Sequence, residues 1–272
     1  MTGTITDYFI SIDGKQIHFV EKPGDLPTIV MIHGRCLSTR MWERQFNSNQ
    51  LKRHHLIAID LPGHGLSDHS QNPLVDYSLF GYRDLLLEIL SIKKLDRYLL
   101  VGHSFGGYIV LETLPYLTGC LGMLIMTNPL VKPIQFELMF KTESLGVINE
   151  VYQKDPDRKT LEKYSLLLLH PRQHEIPSFI VEDFARTDPN VHDAILQGMF
   201  HSGYKDEIKL INDSKFPVLV VYGDRDQITS STYLESLTLA NWHGSISVIE
   251  NSGHLMPWEK ADVFNELLTS MV

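Results

Sequence analysis

No apolar stretch of this 272-residue chain approaches the roughly 18 residues needed to cross a bilayer as a helix, so a membrane protein is not expected. No run of Lys or Arg forms a basic patch, and 24 basic residues against 33 acidic ones leave a net charge of −9. Nucleic acid and anionic membrane surfaces are therefore not expected partners. Cysteine is scarce. Cys36 and Cys120 fall in different expected elements without C-x-x-C spacing, which points to free thiols in a reducing compartment. The first residues, MTGTITDYFISIDGK, lack a basic start followed by an apolar core. No secretory signal is expected, and the cytoplasm is the expected location. Internal repeats and low-complexity tracts are also missing. No ligand pair sits at helical i, i+4 spacing with a supporting carboxylate, so neither a metal nor another cofactor is expected.

What is present is enough apolar residue, 43%, to bury a full core. Tyr8–Ile12 and Gln16–Glu21 read as strands joined at Asp13-Gly14, a strong hairpin signal. Thr28–Ile32, Leu56–Ile59, Tyr98–Val101, Leu121–Met126, Val218–Tyr222 and Ser245–Ile249 read as further strands. Helices are expected over Ser38–Gln50, Asp76–Lys94, Phe105 to Leu117, and Glu259 to Leu268. The second is the clearest, because Leu79, Tyr82, Leu86, Ile89 and Leu90 recur at three- and four-residue steps. Apolar strands alternating with amphipathic helices predict an α/β fold with a mostly parallel central sheet and helices on both faces. The alternation stops over residues 131–213, where Pro133, Pro156, Pro171, Pro177 and Pro189 punctuate helical patches such as Leu161–Leu169 and Val191–Phe200. That stretch reads as a helical cap over the C-terminal sheet edge, leaving 1–130 and 214–272 as the core.

One strand runs into Gly102-His103-Ser104-Phe105-Gly106, a G-x-S-x-G turn followed by a helix. A serine in such a turn projects its hydroxyl above the sheet edge, and crowded backbone demands glycine around it. The following helix aims its positive dipole end at charge forming beside the serine. A serine hydroxyl needs an adjacent base to act as a nucleophile. In this architecture the partners come in the order Ser, acid, His. Val218–Tyr222 ends in Gly223-Asp224-Arg225-Asp226, which offers two candidate acids. Among thirteen histidines, His254 is distinguished by following the last strand and both acids. His103 is expected to point away from Ser104 and to pack. His54, His55, His64 and His69 read as loop residues. Thr28–Ile32 ends in His33-Gly34-Arg35-Cys36, so the backbone N–H groups of Arg35 and Phe105 are the candidate oxyanion donors. The Arg35 side chain has two candidate second roles, contact with a polar substrate group or a salt bridge, of which the salt bridge is expected.

These motifs resemble the α/β-hydrolase superfamily: His33-Gly34, Asp60-Leu61-Pro62-Gly63-His64-Gly65-Leu66-Ser67, the Ser104 turn, Gly223-Asp224-Arg225-Asp226 and Gly253-His254-Leu255-Met256-Pro257-Trp258-Glu259. The resemblance implies the α/β-hydrolase fold with a helical cap, and it favours Asp226 over Asp224 as the acid. A serine rather than an aspartate nucleophile sets the chain apart from the superfamily's haloalkane dehalogenases and epoxide hydrolases. A narrower similarity, to the α/β-hydrolase lactonases that open N-acyl homoserine lactones, rests on three segments. They are Tyr77-Ser78-Leu79-Phe80-Gly81-Tyr82, Gly122-Met123-Leu124-Ile125-Met126-Thr127-Asn128-Pro129 and Phe184-Ala185-Arg186-Thr187-Asp188. It implies a substrate contact for Tyr164. This chain has Arg35, Phe105 and Asp226 where those lactonases carry Asn, Trp and Glu.

The expected activity is cleavage of a carboxylic ester or lactone, N-acyl homoserine lactone among them, by Ser104, His254 and Asp226 through an acyl-serine. Met139, Phe140, Tyr152, Tyr164, Leu167 and Phe200 are expected to line an acyl pocket or to pack the cap on the core. The expected partner is a small-molecule substrate, and a homodimer is compatible with the sequence. Two other readings stay open: carbon–carbon bond hydrolysis with Arg35 on a substrate carboxylate, and a non-catalytic ligand receptor.

Overall fold

The computed structural model describes residues 3–127, 140–153, 156–201, 206–237 and 246–272; the side chains of 196 and 198–201 lie outside that description. β1 (Thr6–Ile12) turns back on β2 (Lys15–Lys22) as an antiparallel pair. Asp13 and Gly14 both take positive φ, 48° and 77°, as the tight hairpin requires. Then come β3 (Leu26–Ile32), β4 (His54–Ile59), β5 (Tyr98–His103), β6 (Cys120–Met126), β7 (Val218–Gly223) and β8 (Ser247–Ile249). The sheet order is β1-β2-β4-β3-β5-β6-β7-β8. β2 pairs antiparallel with β4, and every pairing from β4 through β8 is parallel. This is the α/β-hydrolase architecture that the sequence led one to expect.

Between the strands lie α1 (Glu43–Phe46), α2 (Pro73–Asp76), α3 (Leu79–Ile92) and α4 (Phe105–Thr113). α5 (Thr142–Val151), α6 (Arg158–Leu167), α7 (Ser178–Arg186), α8 (Asn190–His201) and α9 (Glu207–Asn212) separate β6 from β7. α10 (Ser231–Glu235) precedes β8; α11 (Met256–Glu259) and α12 (Ala261–Ser270) follow it. The two-residue side-chain period of a strand sorts the core into two layers. Val30, Ile32, Ile57, Ile59 and Leu100 pack with Tyr82, Leu86 and Ile89 of α3 and Ile109 of α4. Ile29, Met31, Leu56, Ala58 and Leu99 face the other way, toward Trp42, Phe264 and Leu268. Strands buried on both faces read as continuous apolar runs, which is why they stand out in the sequence. Among the described residues no helix is long and apolar enough to cross a membrane.

Several boundaries differ from expectation. The helix expected over Asp76–Lys94 is α3, which starts three residues later, at Leu79, after the separate turn of α2. Ser78, in extended backbone, caps α3 by accepting the Gly81 N–H on its Oγ at 3.0 Å. Gly81 has no side chain because a Cβ there would lie 2.2 Å from the Val75 carbonyl oxygen. Ser38–Gln50 holds a 3₁₀ turn, Thr39–Trp42, and the single turn of α1 instead of one helix. α4 ends at Thr113, just before Pro115, and passes into a 3₁₀ turn. The last expected helix, Glu259 to Leu268, is α12, which starts at Ala261 and is preceded by the separate turn of α11. His54 and His55 belong to β4 and not to a loop.

The α5–α9 insertion is tied to the loops after β3 and β4. Ser38 Oγ donates to Asp183 Oδ2 at 2.6 Å, and Arg40 pairs with Glu182 at 2.7 Å. Tyr77 OH donates to Asp188 Oδ2 at 2.7 Å, and the Asp188 N–H donates to the Gly63 carbonyl at 2.9 Å. Asp60 organises the loop after β4. Its carboxylate accepts the Thr39 and Leu66 amides at 2.7 and 2.9 Å and meets His18 Nδ1 at 2.8 Å. Gly65 must be glycine there, since φ is +55° and a Cβ would fall 2.2 Å from Asp60 Oδ2.

Phe264 of α12 is fully buried and stacks on Trp42 at 6.2 Å between ring centroids. Phe264→Ala is predicted to lower unfolding free energy by about 3–5 kcal/mol in urea titrations. A loss below about 1 kcal/mol would contradict the packing described.

Candidate active site

Ser104 stands between β5 and α4 with φ 50° and ψ −114°, in left-handed space that non-glycine residues avoid. Two bonds hold it there: its N–H donates to the Met126 carbonyl at 2.9 Å, and its own carbonyl accepts the Gly107 N–H at 2.8 Å. The flanking glycines are sterically required. A Cβ on Gly102 would lie 2.5 Å from the Gly106 carbonyl oxygen, and one on Gly106 would lie 2.5 Å from that of Ile32. The hydroxyl is thereby carried on a strained turn at the C-terminal edge of the sheet.

His254 and Asp226 come to the same edge from the loops after β8 and β7. His254 Nδ1 lies 2.8 Å from Asp226 Oδ2, and both residues are 2% exposed. The other oxygen, Oδ1, accepts the Ile228 and Thr229 amides at 2.7 and 3.0 Å. Burial pushes the carboxyl pKa up. The His254 ring, its hydrogen bond and the two amides outweigh that and hold it below the ordinary value. An ionised Asp226 accepts a proton on Nδ1, which leaves Nε2 with the free lone pair. Asp224 is placed elsewhere: it receives the Ser252 N–H at 3.3 Å and pairs with Arg225.

The loop after β3 is set by His33. The Leu61 N–H donates to His33 Nε2 at 3.0 Å, so Nδ1 carries the proton and donates to the Gly34 carbonyl at 2.8 Å. In a trans peptide the C=O and the next N–H point oppositely. Fixing the Gly34 carbonyl therefore fixes the direction of the Arg35 N–H. Among the described residues, neither that amide nor the Phe105 N–H at the start of α4 finds a protein acceptor.

Ser104, His254, Arg35 and Phe105 all line one cavity of about 760 Å³. Of the residues expected to line an acyl pocket, Phe140, Tyr152 and Tyr164 are on its wall, and the two tyrosine hydroxyls meet at 2.9 Å. Leu167 is instead packed against the core layer beneath the cap. Met139 lies outside the described residues, as does the side chain of Phe200. Sequence reasoning missed Tyr108, Ile148, His192, Ile195 and Ile228, also on the wall. The expected salt bridge of Arg35 is not found among the described residues. Its guanidinium stacks 3.5 Å over the Tyr152 ring and donates to His192 Nδ1 at 2.9 Å, because the groups around it are neutral rings.

Three supporting residues also escaped the sequence reading. His103 does pack, and its Nε2–H also donates to the His254 carbonyl at 2.9 Å. Glu259 accepts the N–H groups of Gly253 and His170, linking the His254 loop to the insertion. Lys141 donates to the Asp226 carbonyl. Glu259 left a trace as the last residue of its motif and His103 as a residue expected to pack, but neither bond was foreseen.

The sequence profile described as alpha/beta hydrolase fold matches residues 27–261. A dihydrolipoyllysine-residue acetyltransferase component of the acetoin cleaving system, from Cupriavidus necator, is 27% identical over 273 residues, covering 96% of this chain and 67% of the relative. Esterase YbfF of Escherichia coli is 21% identical over 210 residues, 77% of this chain and 79% of that protein. A solved structure of a mutant N-acyl homoserine lactonase AidH, complexed with N-hexanoyl homoserine, superposes with a TM-score of 0.89 at 25% identity, covering 98% of this chain and 96% of the other.

Burial, then the neighbouring His254, pushes the His103 pKa down to about 3; burial, then Arg35, does the same to His192. Groups with lowered pKa values stay neutral until pH falls through those values. Nitrogen-detected NMR titration is predicted to show both rings uncharged from roughly pH 8 to pH 5. A midpoint near the ordinary histidine value of about 6.5 for either ring would contradict the structure.

Proposed function

The chain belongs to the alpha/beta hydrolase fold family, and from that premise we propose that it is a serine hydrolase of carboxylic esters or lactones. The observation that carries this reading is the Asp226–His254 pair opening, through His254, on the cavity that Ser104 enters from its strained turn. His254 Nε2 takes the hydroxyl proton as Ser104 Oγ attacks the carbonyl carbon. Asp226 holds the ring and stabilises its cation. The Arg35 and Phe105 amides receive the oxyanion, an interaction whose loss typically costs about 3–4 kcal/mol of barrier per donor. Collapse of the tetrahedral intermediate passes the proton from His254 to the leaving alkoxide and leaves an acyl-serine. Water then adds by the same route, with His254 as its base, to release the acid and regenerate Ser104.

Within that class a lactone is the favoured substrate. The likeness to the homoserine lactonase extends over almost the whole of both chains. Two segments that resemble those lactonases also meet here, Tyr77 donating to Asp188 where the insertion joins the core. A ring-opened lactone keeps its alcohol tethered to the acyl-serine, so water must outcompete re-closure. Tyr164, on the cavity wall, is the proposed substrate contact. A receptor would not need a buried carboxylate held ionised behind the cavity histidine.

Nitrophenyl esters, γ-lactones and N-acyl homoserine lactones assayed with wild type, Ser104→Ala and Asp226→Asn test the proposal. Wild type is predicted to turn over members of the panel. Ser104→Ala is predicted to lose roughly 10⁴- to 10⁶-fold, and Asp226→Asn about 10⁴-fold in kcat. Failure of every ester and lactone with wild type, or full activity in Ser104→Ala, would refute it.

A further inference from the structure

Among the described residues Arg35 is a cation with no anion. Its guanidinium carries five N–H donors in a planar fork. Nε and Nη2 lie 3.2 and 2.9 Å from one acceptor, His192 Nδ1. The plane rests 3.5 Å above Tyr152. Both contacts are with uncharged rings, and His192 is held neutral by burial and by Arg35 itself. The insertion thus fixes the position of the fork from two elements, Tyr152 after α5 and His192 on α8, without neutralising it. No carboxylate among the described residues pairs with it. Asp193, the one acidic residue among the described residues of the cavity wall, is exposed and forms no ion pair with Arg35. A half-buried, positionally fixed and uncompensated charge is costly in the empty protein, and a ligand anion would relieve it. Tyr108, Phe140, Ile148 and Ile195 supply apolar surface to the wall, which also carries the neutral polar residues Thr127, Asn149, Gln153, Asn190 and Thr229.

We propose that Arg35 receives a carboxylate borne by the substrate, so that the natural ester or lactone carries a free carboxylate joined to its scissile carbonyl by an aliphatic segment. This rests on the hydrolase reading above and narrows its substrate class. A carboxylate can use the N–H groups His192 leaves free and take two at once, in the bidentate geometry that arginine favours. The amide oxygen of an acyl homoserine lactone would accept the same donors and leave the charge uncompensated. The apolar side chains on the wall, Tyr108, Phe140, Ile148 and Ile195, accommodate the methylenes between the two ends.

The test compares mono(4-nitrophenyl) adipate with 4-nitrophenyl hexanoate, the same acyl length with and without the terminal carboxylate, uncatalysed hydrolysis subtracted. Wild type is expected to favour the half-ester in kcat/KM by at least about tenfold, the worth of one charge-assisted hydrogen bond, with most of the difference in KM. In Arg35→Met the ratio falls to one or below, while Arg35→Lys retains part of it. Because the ratio is taken within each variant, general loss of activity does not move it. Raising salt shrinks the wild-type preference. Turnover of hexanoate with no preference for the half-ester, or a preference that survives in Arg35→Met, overturns the carboxylate assignment and leaves the hydrolase reading intact. Turnover of neither ester overturns the carboxylate assignment, while the hydrolase reading falls only if the whole ester and lactone panel also fails.

Discussion

Asp226 Oδ2 and His254 Nδ1 meet at 2.8 Å where each residue is 2% exposed, and the rest of the site is arranged around that buried bond. A carboxylate taken out of water is costly unless its oxygens are used. Here one oxygen faces the ring and the other receives two amides, so the charge is tolerated and the ring cannot turn. The pair is in turn held from outside. His103 binds the backbone of His254, Glu259 ties the preceding glycine to the insertion, and Lys141 binds the backbone of Asp226. Each support comes from a different segment, so the bond reports the folding of the whole domain.

Parallel topology explains why these segments can converge. β3, β5, β7 and β8 all deliver their C-terminal ends to one edge, and the loops leaving them carry Arg35, Ser104, Asp226 and His254. Strain at Ser104 is affordable because the elbow is locked by Met126 and Gly107 and crowded at both glycines. The insertion closes the edge into a cavity. Its anchors on Ser38, Arg40, Gly63 and Tyr77 hold the insertion, whose Tyr152 and Tyr164 line the same cavity as the serine.

The sheet and its edge were legible in the sequence because doubly buried strands are short apolar runs and because glycines mark places where backbone permits nothing larger. Gly102 and Gly106 show this directly, as does Gly65 against Asp60. Helix boundaries were less legible. The apolar period of α3 begins at Leu79, and the side-chain cap at Ser78 sets its start three residues later than expected. The aromatic wall was half legible: Tyr152 and Tyr164 were expected there, but His192 was not, since nothing local marks a histidine that meets an arginine 157 residues away. For the same reason Arg35 was expected to find a carboxylate, when the fold surrounds it with neutral rings.

The reactivity of the proposed nucleophile, Ser104, therefore depends on a histidine that the fold orients. Labelling with a fluorophosphonate, which phosphonylates an activated serine, measures this without knowledge of the substrate. Mass spectrometry is predicted to find one adduct, on the peptide carrying Ser104, formed at least about 10³-fold more slowly in His254→Ala. Absence of an adduct at Ser104, or equal labelling rates in wild type and His254→Ala, would contradict the account.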